Sequence, residues 1–238
     1  LVYELHKQAT KAEIDFEIIA LDDKSSNNII SINSSINKLK FTNYELSEKN
    51  NGIAVTRQLL VNKAKYNWVL LIDADVELPN KDFINNYLKY INNDYDLFFG
   101  GFAYKNIKPH QDFLLRWKYG KQCEAISASK RNKKPYKVTI AANLLVKKST
   151  YKSFNLNYIG KQYAMDYYFG AILKETKSKV LHIDNQVYHL GIEKSSKYLE
   201  KKEKAAETLL NLYRKGDIKV HEKDLLALYI NLKNIGLN

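Results

Sequence analysis

The sequence predicts an α/β domain: a mostly parallel sheet with helices packed over it. Two observations carry that prediction. Over the first hundred residues, short apolar runs alternate with segments whose apolar residues recur every three or four positions, as strands alternate with covering helices. Two of those runs end on acidic pairs, Asp22-Asp23 and Asp73-Ala74-Asp75. In open α/β sheets ligands bind beyond the carboxyl ends of the strands, so the pairs fall where chemistry is expected.

The elements follow in order. LVYELHKQA places Leu1, Leu5 and Ala9 on one helical face. FEIIALDD is a short apolar run closed by Asp22-Asp23 and reads as a buried strand, whereas NNIISINSSI has no decisive period. KLKFTNYEL alternates in part and reads as a strand, and Asn50-Asn51-Gly52 is a turn signal. IAVTRQLLVNKAK is expected to be a helix with Ile53, Leu60 and Ala64 facing one way. WVLLI is the plainest strand of the chain. Pro79-Asn80 stops it, and Phe83, Ile84, Tyr87, Leu88 and Ile91 form a helical stripe before the strand in DLFFGGFAY.

The second half is less regular. VTIAANLLVKK reads as a strand, and DYYFGAILKE as a helix turning Phe169, Ile172 and Leu173 inward. KVLHIDNQVYHLG mixes apolar and polar residues and carries His182 and His189. From Tyr198 to Arg214 runs a Lys/Glu-rich helix with Leu199, Ala206, Leu209, Leu210 and Tyr213 as its apolar stripe. No repeat or low-complexity linker divides the chain. One domain over residues 1–193 is expected, with a helical C-terminal extension, 194–238, packed on it.

Composition sets the class of partner. The chain has 238 residues, 45% hydrophobic and 27% charged, typical of a globular protein with a sizeable core. No apolar run is long enough to cross a bilayer, and the single Cys123 rules out an intrachain disulfide. A cytoplasmic location is expected, peripheral at the inner face of the membrane if the basic residues meet anionic lipid. The net charge of +12 suits nucleic acid, an anionic membrane or a phosphorylated substrate, with a local concentration of cations in SKRNKKPYK, Ser129 to Lys137. No nucleic-acid-binding signature accompanies it, and no nucleic-acid partner is expected.

Asp73 and Asp75 are the first candidates for chemistry. Side chains at i and i+2 of an extended segment point the same way, and two carboxylates there repel unless a cation lies between them. Mn²⁺ or Mg²⁺ suits such oxygens, and its usual task beside them is to hold a diphosphate as it leaves. A haloacid-dehalogenase-like phosphatase is an alternative for IDADV. In that family the motif lies on the first strand, whereas here it comes third.

EIIALDDKSSN, NNGIAVTRQ and WVLLIDADVELP, in this order and spacing, resemble the glycosyltransferase family 2 pattern of an apolar strand with DDGSxD, then NxGxxxARN, then a strand with DxD. TIAANLLVKKSTYKSFNLN is similar to that family's acceptor-side segment, YAMDYYFGAIL to the segment around its Glu-Asp pair, and VLHIDNQVYHLGIE to a tail of some bacterial members. The resemblance implies a GT-A fold and inverting transfer from a nucleotide-diphosphate sugar, a UDP-sugar in the first instance, to a glycan or lipid-linked acceptor in surface polysaccharide synthesis. Asp22 or Asp23 would meet the base or ribose, Arg57 would order the nucleotide, Asp73 would approach the ribose and Asp75 the metal. Asn143 would serve the acceptor side. Asp166 would be the general base, with a helix N-cap as its plain alternative. His189 is the candidate for a further metal ligand, and His182, inside an apolar run, is expected to be structural.

The chain departs from the pattern in three places. Lys24 replaces the usual Gly after the acidic pair, and Met165 stands where the family has the Glu of Glu-Asp. The family's first strand would precede Leu1, which is not an initiator Met, so a natural start upstream is expected. These departures keep a catalytically silent nucleotide-binding module open as the second reading.

Overall fold

The computed structural model describes residues 1–154, 163, 165–219 and 224–236. The first half runs α1 (Val2–Lys11), β1 (Ile18–Asp22), α2 (Asn27–Asn33), β2 (Thr42–Leu46), α3 (Ile53–Lys63), β3 (Trp68–Ile72), β4 (Val76–Glu77), α4 (Phe83–Leu88), β5 (Leu97–Phe99) and β6 (Phe102–Ala103). Then come α5 (Leu114–Tyr119), α6 (Ala128–Arg131), β7 (Asn143–Lys147), α7 (Lys148–Lys152), α8 (Met165–Glu175), β8 (Val180–His182), β9 (Val187–His189), α9 (Ser195–Lys215) and α10 (Asp224–Asn234). The undecided NNIISINSSI is α2 followed by a 3₁₀ turn over Ser34–Lys38.

The sheet is α/β as expected, and its central part has the order β3-β7-β5-β8. β3, β5 and β8 run one way, and β7 runs against its neighbours β3 and β5. β1 and β2 form a parallel pair of their own, and β4-β9-β6 form a small sheet at the end of the central one. The apolar runs are continuous rather than alternating because both faces of the central sheet are covered. Leu97, Phe99, Leu144 and Val146 face one cluster with Val61, Phe169 and Leu173. Phe98 and Leu145, one residue out of phase, face another with Phe83, Tyr87 and Val187.

Two helical faces differ from the periodicity. α3 buries Ala54, Gln58 and Val61, while Ile53 is 51% exposed beside the Gly52 turn. α9 buries Tyr198, Thr208, Leu209 and Leu212, while Leu199 is 53% exposed. Docking of α9 against α5 rotates the buried stripe by about one residue from the one that hydrophobicity alone selects. Leu209, Leu212, Ile218 and Leu226 close a third cluster onto Tyr167, Tyr168 and Ala171 of α8.

Arg131, in the basic run, is not a surface charge. It is 3% exposed and donates to the carbonyls of Phe99, Gly100, Ile126 and Ile183. Burial lowers its pKa, and Asp184 and Tyr87 offset only part of that. His182 is structural as expected: it is 2% exposed, with Nδ1 against Arg131 Nη1 at 2.8 Å and Nε2 against the Pro135 carbonyl at 2.9 Å.

Candidate active site

The carboxyl end of β1 is tied to the start of α3. Asp22 is buried and accepts from the Ser25 N–H at 2.7 Å and the Tyr44 hydroxyl at 2.5 Å. Burial works against its ionised form, but these hydrogen bonds outweigh it and hold the pKa below the ordinary carboxylate value. Tyr44 is pushed up to about 12 by its own burial and then by Asp22. Asp23 accepts from the backbone N–H groups of Asn51 at 2.7 Å and Gly52 at 2.8 Å. It therefore clamps the Asn-Gly turn whose Gly52, at φ +80°, opens α3. Lys24 has φ +81°, the left-handed backbone that the family's Gly would take, so the turn survives the substitution at a cost of about 1 kcal/mol.

That clamp fixes the helix carrying Arg57. Its Nη2 donates to Asp73 Oδ1 at 2.7 Å, with the Arg57 side chain only 13% exposed. Burial disfavours the cation, but Asp73 and then Asp166 outweigh that and raise its pKa. Asp73 follows β3 directly, and its N–H donates to the Ala142 carbonyl at 3.1 Å.

Asp75 takes a different partner. The backbone turns at Ala74-Asp75, so the extended alternation that would point both carboxylates one way is broken. β4 then pairs Val76 with His189 of β9, and the Leu190 N–H donates to the Asp75 carbonyl at 2.9 Å. This register sets Asp75 Oδ2 3.5 Å from His189 Nε2, long for a hydrogen bond. The His189 ring is held by stacking on Phe102 at 5.0 Å and by the edge of Tyr104 at 5.7 Å. His189 foremost holds Asp75 below the usual carboxylate pKa, against desolvation, with a further contribution from Arg116. Gly191 permits the approach: a Cβ there would lie 2.0 Å from Asp75 Oδ2.

Two ligand atoms 3.5 Å apart fit adjacent corners around one small divalent cation, whose octahedral edge is about 3 Å. Among the described residues no group of three or more His, Cys, Asp or Glu side chains could hold a metal ion. A cation at Asp75 and His189 would therefore complete its shell with ligand oxygens and water, as a diphosphate-binding cation does.

Asp166 lies in the first turn of α8, where a carboxylate suits the helix dipole, and its backbone carbonyl accepts from Thr139 Oγ1 at 2.6 Å. Its charge acts on Arg57 from one side and on Lys202 of α9 from another. Met165 packs against the core beside that site, so this position is apolar where the family has a carboxylate. Residues 155–157 and 164 of the acceptor-side motifs lie outside the described residues. Asn143 is fully buried and spent inside the protein. It accepts from the Tyr87 hydroxyl at 2.6 Å and donates to the carbonyls of Gly101 and Asn185 at 3.0 and 2.9 Å. The geometry makes it a brace between β7 and the segments after β5 and β8, with its amide consumed inside the protein.

The site residues read from sequence thus form an acidic pair at Asp22 and Asp23 tied to the Asn51-Gly52 turn, an Arg57–Asp73 pair, and an Asp75–His189 corner, with Asp166 within electrostatic reach of the Arg57–Asp73 pair. Sequence reasoning passed over Gly191, Arg116, Glu124 and Lys202. Only Gly191, two residues after His189, carries a local signal. A cleft of about 550 Å³ between Trp68 and Lys152 lies at the opposite end of β3, away from these carboxylates.

The sequence model for glycosyl transferase family 2 matches residues 2–154. No curated protein sequence matches the chain. Among solved structures, S. aureus TarS 1-349 superposes with a TM-score of 0.57 at 18% identity, covering 97% of this chain and 66% of that one. Mannosyl-3-phosphoglycerate synthase from Rubrobacter xylanophilus gives a TM-score of 0.60 at 11% identity, covering 92% and 70%. The mannosyltransferase PcManGT from Pyrobaculum calidifontis, solved with GDP-Man and Mn²⁺, gives 0.53 at 12% identity, covering 83% and 55%. The chain spans just under two thirds of TarS 1-349 and 34% of the longer TarS chain. With the family match over most of the chain, and the DxD strand, the clamped Asn-Gly turn and Arg57 assembled as above, the protein belongs to glycosyl transferase family 2.

Proposed function

We propose that this chain is an inverting glycosyltransferase that moves a sugar from a nucleotide-diphosphate sugar, a UDP-sugar in the first instance, to a hydroxyl of a glycan or lipid-linked acceptor. The observation that carries the reading is the convergence of the Arg57–Asp73 pair and the Asp75–His189 corner at the carboxyl end of β3, with the Asp166 charge acting on Arg57. TarS 1-349 has been solved with UDP and with UDP-GlcNAc, and PcManGT with GDP-Man and Mn²⁺, which supports a nucleotide-sugar donor on this fold.

Asp23 and the turn it clamps position the nucleotide. Arg57 is held by Asp73 so that its second edge can meet an oxyanion or hydroxyl of the donor. Asp75 and His189 would hold Mn²⁺ or Mg²⁺, which when bound supplies positive charge to the departing diphosphate. Asp166 takes the proton of the acceptor hydroxyl as that oxygen attacks the anomeric carbon from the face opposite the leaving diphosphate, which inverts the configuration. The phosphatase alternative lapses with the family assignment.

Met165 supports the silent-module reading, since a methionine packed against the core cannot supply the hydrogen bonds of a carboxylate to an acceptor. Thermal shift with a panel of nucleotide sugars, with and without Mn²⁺, followed by turnover of any binder, separates the two. The transferase reading expects metal-dependent stabilisation by one nucleotide class and a loss of turnover of about 100-fold or more in Asp166→Asn. No stabilisation by any nucleotide diphosphate would sink both readings. Binding with turnover at the level of Asp166→Asn would leave only the silent module.

A further inference from the structure

Beside the Asp75 corner lies a cationic cluster that the transfer reaction as described does not use. Arg116 of α5 is 7% exposed, and its Nη2 donates to Glu124 Oε2 at 3.1 Å. The same carboxylate oxygen, Glu124 Oε2, also accepts from the Tyr104 hydroxyl. Arg116 Nη1 is buried with no hydrogen-bond partner, and the buried hydroxyl of Tyr198 has none either. A buried donor left unpaired costs about 1–3 kcal/mol, and two together call for an explanation.

Lys202 supplies a third donor. On α9 it lies four residues after Tyr198 and seven before Leu209, on the side of the helix that also buries Thr208 and Leu212. Its Nζ lies 4.4 Å from the Tyr119 ring centroid and 5.2 Å from that of Tyr198, and the Arg116 guanidinium lies 5.3 Å from the Tyr198 ring as well. The described contacts give Lys202 no carboxylate within salt-bridge distance. Desolvation lowers its pKa, and Glu124 and Asp166 are among the charges that act against that. One tyrosine is thus flanked by two cations, only one of which is neutralised.

We infer that Arg116, Tyr198 and Lys202 form an oxyanion subsite that holds a phosphate group carried by the acceptor. The acceptor is favoured over the donor because α9, through Leu209 and Leu212, packs on Tyr167 and Tyr168 of α8, the helix that carries Asp166, whereas the donor diphosphate has its own cation corner at Asp75 and His189. α9 also lies outside residues 2–154, where the family pattern ends, as suits a feature that selects one member's acceptor. The acceptor role rests on the glycosyl-transfer reading, and the test below keeps the two apart.

The full chain, ¹⁵N-labelled, is titrated with inorganic phosphate by NMR in the presence of saturating UDP and Mg²⁺, and separately with UDP alone. Phosphate is expected to bind alongside UDP. Losing one charge-assisted contact in Lys202→Gln should weaken phosphate by about tenfold, with recovery in Lys202→Arg and UDP affinity unchanged in both. Equal phosphate affinity in Lys202→Gln would overturn the subsite, and so would phosphate shifts confined to the Lys147–Lys152 surface. Competition between UDP and phosphate, or a parallel loss of UDP affinity, would reassign the cations to the donor and overturn the acceptor role. Failure of UDP to bind at all would count against the glycosyl-transfer reading, which the phosphate titration does not measure.

Discussion

At the scale of single residues, the site works by giving each carboxylate a different partner. Asp22 is spent on Tyr44 and Ser25, Asp23 on the Asn51-Gly52 turn, Asp73 on Arg57, and Asp75 on His189. Asp75 is the most open of these, with its side chain 51% exposed, and a cation can meet it without breaking a hydrogen bond to protein. Gly191 sets that geometry, because a methyl group there would overlap the carboxylate oxygen and approach His189 Nε2 to 3.3 Å. Gly191→Ala is therefore expected to turn the Asp75 side chain away while leaving the fold intact, since the displaced atom is the end of a flexible side chain. The metal-dependent part of UDP affinity should fall by about tenfold, near 1.4 kcal/mol, while metal-free affinity stays the same. Calorimetric titration of UDP with and without Mn²⁺ measures both. An unchanged Mn²⁺ increment in the variant would show that Asp75 and His189 do not hold the cation.

At the scale of elements, strands with a strong local signal and the inward faces of α4 and α8 are legible in the sequence, and the faces of α3 and α9 are not. WVLLI needed no context, because five apolar residues before a turn and a proline have few other uses in an α/β chain. α9 was legible as a helix, but its inward face was not. Leu199 and Tyr198 are adjacent in sequence, and only contact with α5 chooses Tyr198. The same blindness hid Lys202, whose meaning depends on Arg116, which is 86 positions earlier and in a segment with no clear period. Asp22, Asp23, Arg57, Asp73, Asp75, Asp166 and His189 stand out in the sequence because each sits in a short motif, and Asn143 stands out by the same route although its amide is consumed inside the protein. The face assignment has a direct consequence. Leu209→Ala, at 3% exposure in the cluster against α8, should cost about 2–4 kcal/mol, and Leu199→Ala, at 53% exposure, under about 0.5 kcal/mol. Urea unfolding of the two variants decides this. Equal losses would mean that α9 packs through the stripe the periodicity selects.

At the scale of the whole molecule, acid stability depends on how the sheets are joined. His182 of β8 stacks on Phe99 of β5 at 5.0 Å and accepts from Arg131, which in turn ties Gly100 and Ile183 to α6, with Asp184 3.8 Å from the guanidinium. The imidazole must stay neutral there: burial foremost, with Arg131 adding, lowers its pKa to about 4 against the Pro135 hydrogen bond. An unfolded chain would bind this proton near pH 6.5, so between the two values the unfolded state holds more protons and stability falls as pH falls. The loss is about 2 kcal/mol by pH 5 and about 3 kcal/mol at pH 4, and it is complete only below that pH. Asp22, whose pKa lies below its ordinary value, contributes in the same direction but only below about pH 4. The net charge of +12 also opposes the compact state as acid adds positive charge, but salt screens that repulsion between exposed groups and leaves a buried imidazole untouched. Urea unfolding at pH 7.5 and pH 5, each with and without 0.5 M NaCl, should retain most of the loss in high salt. Substituting His182→Gln removes the titrating group, so that variant should be less stable at pH 7.5 yet nearly flat between the two pH values. A loss that salt abolishes, or one that persists in His182→Gln, would assign acid sensitivity to surface charge and not to the brace between β5, β8 and α6.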